Sequence, residues 1–136
     1  MSKRQFRIEV FKGVFSSAFY DDEEKETQLE QLFNQDVQYD KLALSEKESK
    51  EANAKCQDIL DNISEIDKAI EKALDNWSIN RIGKVELAIL RVAVYEIQYD
   101  KLEPAIAINE AVEIAKEYGG DKSGAFVNGI LAKIAN

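Results

Sequence analysis

Residues 83–99 read GKVELAILRVAVYEIQY, and this stretch decides the fold. Its apolar side chains cover almost the whole circumference of a helix, and only Glu86, Arg91, Glu96 and Gln98 interrupt them. A helix at a protein surface shows one apolar stripe, whereas a helix that is apolar all round is enclosed by other elements. At 17 residues, several of them charged, the stretch is too short and too polar for a membrane span. We therefore predict the central helix of an all-α bundle.

The composition excludes several common kinds of site. The chain has 136 residues, one cysteine (Cys56) and no histidine. Zinc sites, Ser-His-Asp triads and Cys-His pairs need residues that this chain lacks, and no EF-hand spacing is present. The commonest catalytic and metal arrangements are therefore excluded. A metal site made only of carboxylates stays open at this point, but we find no ligand spacing for one and predict no metal and no cofactor. Because one cysteine cannot form an internal disulfide and no signal peptide opens the sequence, we expect a single domain in the reducing cytoplasm.

Charge is distributed unevenly along the chain. The net charge is −8, which by itself argues against nucleic-acid binding. Residues 1–19 nevertheless carry +3, whereas residues 20–76 carry −10 and residues 77–136 carry −1. Cations at the start of a helix oppose its macrodipole. A ligand explains them more easily than stability does, although an unstructured, solubilising start explains them too. The role of the acidic segment 20–76 stays open.

Apolar spacing in the first half predicts several helices. The expected elements are an amphipathic helix at residues 3–20, a second helix beginning within residues 21–26, and a loop at residues 36–44. A heptad-like seam follows, made of Ala52, Cys56, Ile59, Ile63, Ile66, Ile70, Ala73 and Trp77. We favour two bundle helices over one coiled-coil helix, with a break near Asp61 to Ser64, because three heptads are short for a coiled coil.

Capping residues and helix breakers place the remaining helices. Ser78 or Asn80 is expected to cap the turn before the central helix. The next helix, 105–118, is expected to open at Pro104 and to end at Gly119 and Gly120 with positive φ angles. Asp121 or Ser123 is expected to cap the last helix. The expected buried stripes are Ile108, Ala111, Val112 and Ala115, then Phe126, Val127, Ile130, Leu131 and Ile134. We expect a compact bundle of about seven helices in two small subdomains, about residues 1–62 and 63–136.

Three motifs stand out in the second half of the chain. The first combines Trp77, Arg81 and Val85 with AILR at 88–91 and Tyr95-Glu96. The second is AINEAVE at 107–113, followed by Ala115, Lys116 and Gly119. The third is Ser123 followed by FVNG at 126–129. Their order and spacing closely resemble the NusB family of bacterial transcription antitermination factors. The resemblance is dense over about residues 77–133 and weak before them.

This resemblance implies an all-helical adaptor without catalytic activity. Proteins of the NusB family bind boxA-type single-stranded RNA of ribosomal-RNA transcripts together with NusE, a small-subunit ribosomal protein. The complex joins NusA, NusG and RNA polymerase and lets transcription pass terminators, and some members form homodimers that hide the RNA surface. The resemblance therefore implies cytoplasmic transcription antitermination and no membrane partner.

Family positions carried over to this chain give the expected sites. The RNA surface of the family is matched by Lys3, Arg4, Arg7 and Phe15 in the first helix and by Phe126 in the last. The surface that faces NusE is matched by Glu86. Basic side chains neutralise phosphates and exposed aromatic rings stack on unpaired bases, so these residue types suit an RNA surface.

Departures from the family pattern concern lysines. Family members commonly have a lysine where this chain has Ala105 and another where it has Ala125, and Pro104 lies one position later than the family's proline. The first helix is also poorer in arginine than usual. Each lost cation removes a phosphate contact. We therefore expect weak RNA binding by the chain alone, with NusE supplying part of the surface.

Structural interpretations of the same residues stay open. Lys3, Arg4 and Arg7 also fit a solvated helix start, and Phe15 and Phe126 fit a core equally well. Asn109, Glu110 and Asn128 are expected to be buried and to tie helix ends together. Arg91 is expected to form an ion pair with Glu96 or Glu110. Gly129 is expected to mark a close approach of two helices, and Trp77 to fill the junction between the subdomains. Two other functions also remain: an RNA-recruiting domain related to ribosomal-RNA cytosine methyltransferases, and a purely structural helical dimer.

Overall fold

The computed structural model describes residues 2–18, 45–75 and 77–136. These residues form six α-helices and one short 3-10 helix, and no strand occurs among them. The helices are α1 (Lys3–Ser17), α2 (Glu46–Asp61), α3 (Ile63–Ala73), the 3-10 helix (Ile79–Arg81), α4 (Lys84–Gln98), α5 (Pro104–Tyr118) and α6 (Ser123–Ala135). The predicted all-α class is confirmed. The helix expected to begin within residues 21–26 and the loop at 36–44 lie outside the described residues.

The chain divides into two compact units, Met1–Asp61 and Asn62–Asn136. The predicted break in the heptad-like seam is confirmed, since α2 ends at Asp61 and α3 begins at Ile63. Asn62 precedes α3 without a side-chain capping bond. No helix within the described ranges is long and apolar enough to cross a membrane.

In the first unit, α1 packs against α2. Apolar side chains are buried on both helices, among them Val10 and Val14 of α1 and Ile59 of α2. Cys56 is fully buried here, and its Sγ donates a hydrogen bond to the carbonyl oxygen of Val10 at 3.5 Å. Burial raises the pKa of the Cys56 thiol to about 12. This cysteine is therefore a neutral core residue.

Short polar side chains define where the helices of the first unit begin. Ser2 accepts a hydrogen bond from the backbone N–H of Gln5 at 3.0 Å and caps α1. Before α2, the Ser45 hydroxyl accepts from the N–H of Glu48, and the Glu48 carboxylate accepts from the N–H of Ser45, each at 3.1 Å. This reciprocal capping box satisfies two backbone donors that the helix cannot satisfy internally.

In the second unit, α4 is the central helix, as predicted. It packs against α3, α5 and α6, and its buried side chains run from Ala88 to Leu90 and from Val92 to Glu96. Arg91 is the polar interruption in this buried segment, and the expectation that it pairs with Glu96 or Glu110 is wrong. Its Nε and Nη2 donate to the two carboxylate oxygens of Asp67 on α3, each at 2.9 Å. A bidentate ion pair therefore links α3 to the central helix.

A tight corner joins α5 to α6. Pro104 is the first residue of α5, as predicted. Gly119 ends the helix at φ −100°, and no described glycine has a positive φ, so the expected left-handed ending is wrong. Gly119 is instead required by close packing, because a Cβ there would lie 2.5 Å from Ser123 Oγ and 2.8 Å from the carbonyl oxygen of Ala115.

The corner continues into a turn from Gly120 to Ser123, which we call the 120–123 turn. Lys122 is the residue before α6, so neither Asp121 nor Ser123 caps the helix as expected. Ser123 stabilises the turn instead: its Oγ accepts from the N–H of Gly120 at 2.9 Å, and its own N–H donates to the Gly120 carbonyl at 3.1 Å. The two hydrogen bonds hold the turn in one conformation.

The apolar stripes of α5 and α6 differ from their predicted composition. The buried residues of α5 are Ala107, Ala111, Ile114 and Ala115, and those of α6 include Val127, Ile130 and Leu131. Ile108 and Val112 are only partly buried, and Phe126 is 36% exposed. Gly129 faces open space, so the expected close helix approach there is wrong. Helical spacing identified the stripes, but it could not locate their edges.

Candidate RNA and partner surfaces

The basic end of α1 is accessible in the first unit. Lys3 and Arg4 are exposed, Arg7 is partly buried, and the first turn of the helix contains no acidic residue. Lys12 lies 3.7 Å from Glu9, a carboxylate that is itself buried. The cations at the beginning of the helix therefore provide most of the outward positive charge of α1.

Phe15 lies later on the same helix and is partly exposed. Its ring centroid is 6.2 Å from that of Phe11, with the ring planes tilted by 33°. Phe11 is buried, so one side of Phe15 rests on the core while part of the ring remains accessible. Phe15 is therefore partly a core residue and partly a surface residue, the two roles that the sequence left open.

The second unit contains a groove with two exposed aromatic side chains, which we call the aromatic groove. Its volume is about 590 Å³, and its lining includes Trp77, Arg81, Glu86, Lys122 and Phe126. Trp77 is 62% exposed and Phe126 is 36% exposed. Two exposed cations, Arg81 and Lys122, lie with these rings, and two carboxylates share the lining, partly buried at Glu86 and exposed at Asp121.

Local backbone structure positions one wall of this groove. The Trp77 N–H donates to the carbonyl oxygen of Leu74 at 3.1 Å, which continues the chain tightly from the end of α3. Ser78 then caps the 3-10 helix, as predicted, by accepting from the N–H of Asn80 at 3.2 Å. The 3-10 helix ends with Arg81, so the tryptophan and the arginine are held on one short segment.

The aromatic groove changes the interpretation of the sequence in two ways. Glu86 and Phe126, which the family pattern assigns to different partners, line the same groove. Trp77 was expected to be buried and is exposed, so that expectation is wrong. The sequence did not identify Trp77, Arg81 or Lys122 as surface residues of a site. The one available signal was that Trp77 is followed by the polar residues of a capped turn rather than by a helix.

A second groove lies between exposed faces of α5 and α6, and we call it the amide groove. Its volume is about 740 Å³, and Asn109 and Asn128 both line it. Both asparagines are exposed, so their expected role as buried ties between helix ends is wrong. Ala105 and Ala125, which replace lysines of the family pattern, line this same groove. The two positions that lack the family's lysines therefore lie in one groove.

Comparison with known proteins assigns the fold. The sequence model of the NusB family matches residues 1–136. This chain belongs to the NusB family. The transcription antitermination protein NusB of Agathobacter rectalis is 42% identical over 136 residues, which cover 99% of this chain and 100% of that protein. The corresponding protein of Lachnoclostridium phytofermentans is 40% identical and covers 98% of each chain.

Solved structures of NusB proteins have the same fold. T. maritima NusB has a TM-score of 0.83 at 40% identity and covers 99% of this chain and 91% of that chain. A crystal structure of the antitermination factors NusB and NusE in complex with dsRNA has a TM-score of 0.77 at 29% identity and covers 98% and 95%. The similarity therefore includes the weakly patterned first half of the chain.

Proposed function

We propose that this chain is a cytoplasmic transcription antitermination factor that binds boxA-type RNA of ribosomal-RNA transcripts together with NusE. It acts as an adaptor without catalysis, and NusA, NusG and RNA polymerase complete the larger complex. Family membership supports this assignment, and the related crystal structure of NusB and NusE in complex with dsRNA supports NusE and RNA as partners. The observation that carries it for this chain is the aromatic groove, where exposed rings and cations lie together.

Phe126 and Trp77 are the proposed base-stacking residues of this surface. Stacking of a base on an aromatic side chain contributes about 1–3 kcal/mol by alanine substitution, and it tolerates any base sequence. Arg81 and Lys122 lie in the same groove and supply positive charge for the adjoining phosphates. A groove with this composition suits an unpaired strand better than a closed duplex, whose bases are already stacked.

Lys3, Arg4 and Arg7 are proposed to contact phosphates, and Phe15 is proposed to contact a base through its accessible part. Arg4 and Arg7 already engage other groups of the protein, so RNA must compete with these interactions. The net charge of −8 opposes binding at long range. We therefore propose weak RNA affinity for the chain alone and a clear gain when NusE is present.

Glu86 is proposed to face NusE. It lies in the first turn of α4, where a carboxylate is stabilised by the helix macrodipole, and it is only partly buried. Because Glu86 and Phe126 line the same groove, the proposal places NusE and RNA on adjoining parts of one surface. A basic residue of the partner would neutralise this carboxylate.

The test is fluorescence anisotropy of a labelled boxA-type RNA, with and without NusE, at low and moderate salt. Phe126→Ala should weaken binding about 5- to 100-fold, as loss of a stacked base predicts. Tyr118→Ala is the matched control, because Tyr118 is an aromatic residue with the same 36% exposure outside the groove. Arg4→Ala combined with Arg7→Ala should flatten the dependence of log K on log salt by about 0.7 per lost phosphate contact.

Two results would contradict the proposal. The first is the absence of a complex between the wild-type chain, NusE and the RNA at low salt. The second is equal RNA affinity for the Phe126 and Tyr118 variants. Self-association is the competing use of the same exposed rings. Sedimentation over a concentration series distinguishes it, because a constitutive homodimer that persists when RNA and NusE are added would favour the purely structural dimer.

A further inference from the structure

Lys133 on α6 links the end of α3 to the helix that carries Phe126. Its Nζ donates hydrogen bonds to the carbonyl oxygen of Ala73 at 3.3 Å and to the carboxylate of Asp75 at 3.0 Å. We propose that Lys133 is a positioning residue of the RNA surface, which holds the chain after α3 in the conformation that places Trp77 in the aromatic groove. This inference rests on the proposed function, because Trp77 is a proposed base-stacking residue there.

The backbone turns sharply between α3 and Trp77. Leu74 caps the C-terminus of α3, and Asp75 follows it at φ 58°, in the left-handed region. This region is costly for a residue with a Cβ, and helix ends of this kind usually have glycine or asparagine there. The Trp77 N–H then donates to the Leu74 carbonyl at 3.1 Å. The direction in which the chain leaves α3 and reaches Trp77 is therefore set at Asp75.

Lys133 contacts both parts of this turn. The carbonyl of Ala73 is among the last of α3, which lack donors within the helix and carry the negative end of its dipole. The carboxylate of Asp75 belongs to the left-handed residue itself. The side chains of Lys133 and Asp75 are 53% and 75% exposed, and an ion pair so exposed contributes little to the free energy of unfolding. We therefore expect this link to affect local geometry more than stability.

The same link relates the two aromatic residues of the groove to each other. Phe126 and Lys133 lie at positions i and i+7 of α6, so they share one face of the helix. On the far side of Trp77, Ser78 caps the 3-10 helix and Ile82 at its end is buried, which anchors the chain there. Lys133 provides the anchor on the near side. Trp77 is therefore held between two fixed points and opposite Phe126.

The first experiment measures the position of Trp77 without RNA or NusE. Trp77 is the one tryptophan of the chain, so time-resolved fluorescence anisotropy reports the motion of its indole alone. Lys133→Met keeps the aliphatic chain and removes the ammonium. It should raise the amplitude of the fast decay about twofold or more, the change from an ordered to a flexible group. Lys68→Met is the matched control, because it breaks a surface ion pair on α3 outside the groove, and it should leave the decay unchanged. Thermal unfolding of every variant verifies the fold.

The second experiment measures binding of labelled boxA-type RNA in the presence of NusE. Lys133→Met should weaken binding about 3- to 10-fold, which is part of the loss expected for one stacked base. In the Trp77→Ala background the same substitution should change nothing further, because its effect passes through the indole.

Substitutions of Asp75 separate positioning from charge. Asp75→Gly removes a negative charge and suits the positive φ, so electrostatics and backbone preference both favour this variant. Positioning predicts the opposite result, a weaker complex with RNA. Asp75→Asn should retain most of the affinity, because its carboxamide can accept the hydrogen bond from Lys133 and asparagine tolerates the left-handed region.

The possible outcomes separate this inference from the proposed function. If the indole is as ordered in Lys133→Met as in the wild type, the positioning role is refuted whether or not the chain binds RNA. If Lys133→Met weakens binding equally with and without the Trp77 side chain, Lys133 contacts the RNA directly and the positioning role is refuted as well. Tighter RNA binding by Asp75→Gly would refute it in the same way. If the anisotropy changes as expected but the wild type binds no RNA with NusE, the proposed function fails while the link between Lys133 and Trp77 is confirmed.

Discussion

Replacing Arg91 by alanine should remove one of the main polar links in the second unit. The guanidinium makes two hydrogen bonds of 2.9 Å to Asp67, and the side chains are 14% and 24% exposed. Breaking a fully buried ion pair costs about 3–5 kcal/mol, because a charge remains buried without a partner. A solvent-exposed pair contributes at most about 1 kcal/mol. For this partly exposed pair we expect Arg91→Ala to lower the free energy of unfolding by about 2–3 kcal/mol.

The assay is urea unfolding of a double-mutant cycle made of Arg91→Ala, Asp67→Ala and the double variant. The coupling free energy should be about 1–2 kcal/mol, since the two hydrogen bonds are lost together. Arg91→Lys should retain only part of it, because an ammonium group cannot bind a carboxylate in the planar bidentate geometry. A coupling below about 0.3 kcal/mol would refute the reasoning that this pair holds α3 against α4.

Three further predictions concern residues outside the grooves or at their edge. Gly119→Ala should lower the free energy of unfolding by about 1–3 kcal/mol, because its Cβ would overlap Ser123 and Ala115. Gly129→Ala should raise the free energy of unfolding by about 0.5–1 kcal/mol, because Gly129 lies at an open helical position. Chemical unfolding of both variants measures the difference. Cys56 stays protonated in the native state up to a pKa of about 12 and ionises near 9.0 when unfolded, so part of the free energy of unfolding should be lost as the pH rises through this interval. Cys56→Ala should abolish that part, and thiol reagents at pH 8 should label the wild type only after unfolding. The backbone hydrogen bond from Ser45 lowers the pKa of Glu48. The ionised carboxylate therefore stabilises the folded chain at pH values above its ordinary pKa, and this stabilisation is lost as the pH falls through the lowered pKa. NMR titration should show the pKa of Glu48 returning toward its ordinary value in Ser45→Pro, which has no N–H to donate.

The sequence predicted which types of residue form the candidate site, but it did not predict which of them lie together. The family pattern predicted RNA contacts by Phe126 and by the cations at the start of α1, although the apolar stripe of the last helix predicted that Phe126 is buried. The grouping of Trp77 and Arg81 with Lys122 and Phe126 was not predicted, since the two pairs come from segments that lie far apart in the chain. The partner of Arg91 was also missed, because Asp67 lies 24 positions away and nothing local distinguishes it from nearer acids.

Local chemistry was sufficient for much of the described backbone. Apolar periodicity, Pro104, Ser78 and the break after Asp61 act over a few residues, so the all-α class, the central helix and most helix boundaries could be worked out from the order of residues alone. Only tertiary packing decided which edge of each stripe is covered, because that depends on the neighbouring helix and not on the helix itself. It left Phe126, Asn109 and Asn128 facing outward, and it made Gly119 necessary for close contact with Ser123 rather than for its φ angle.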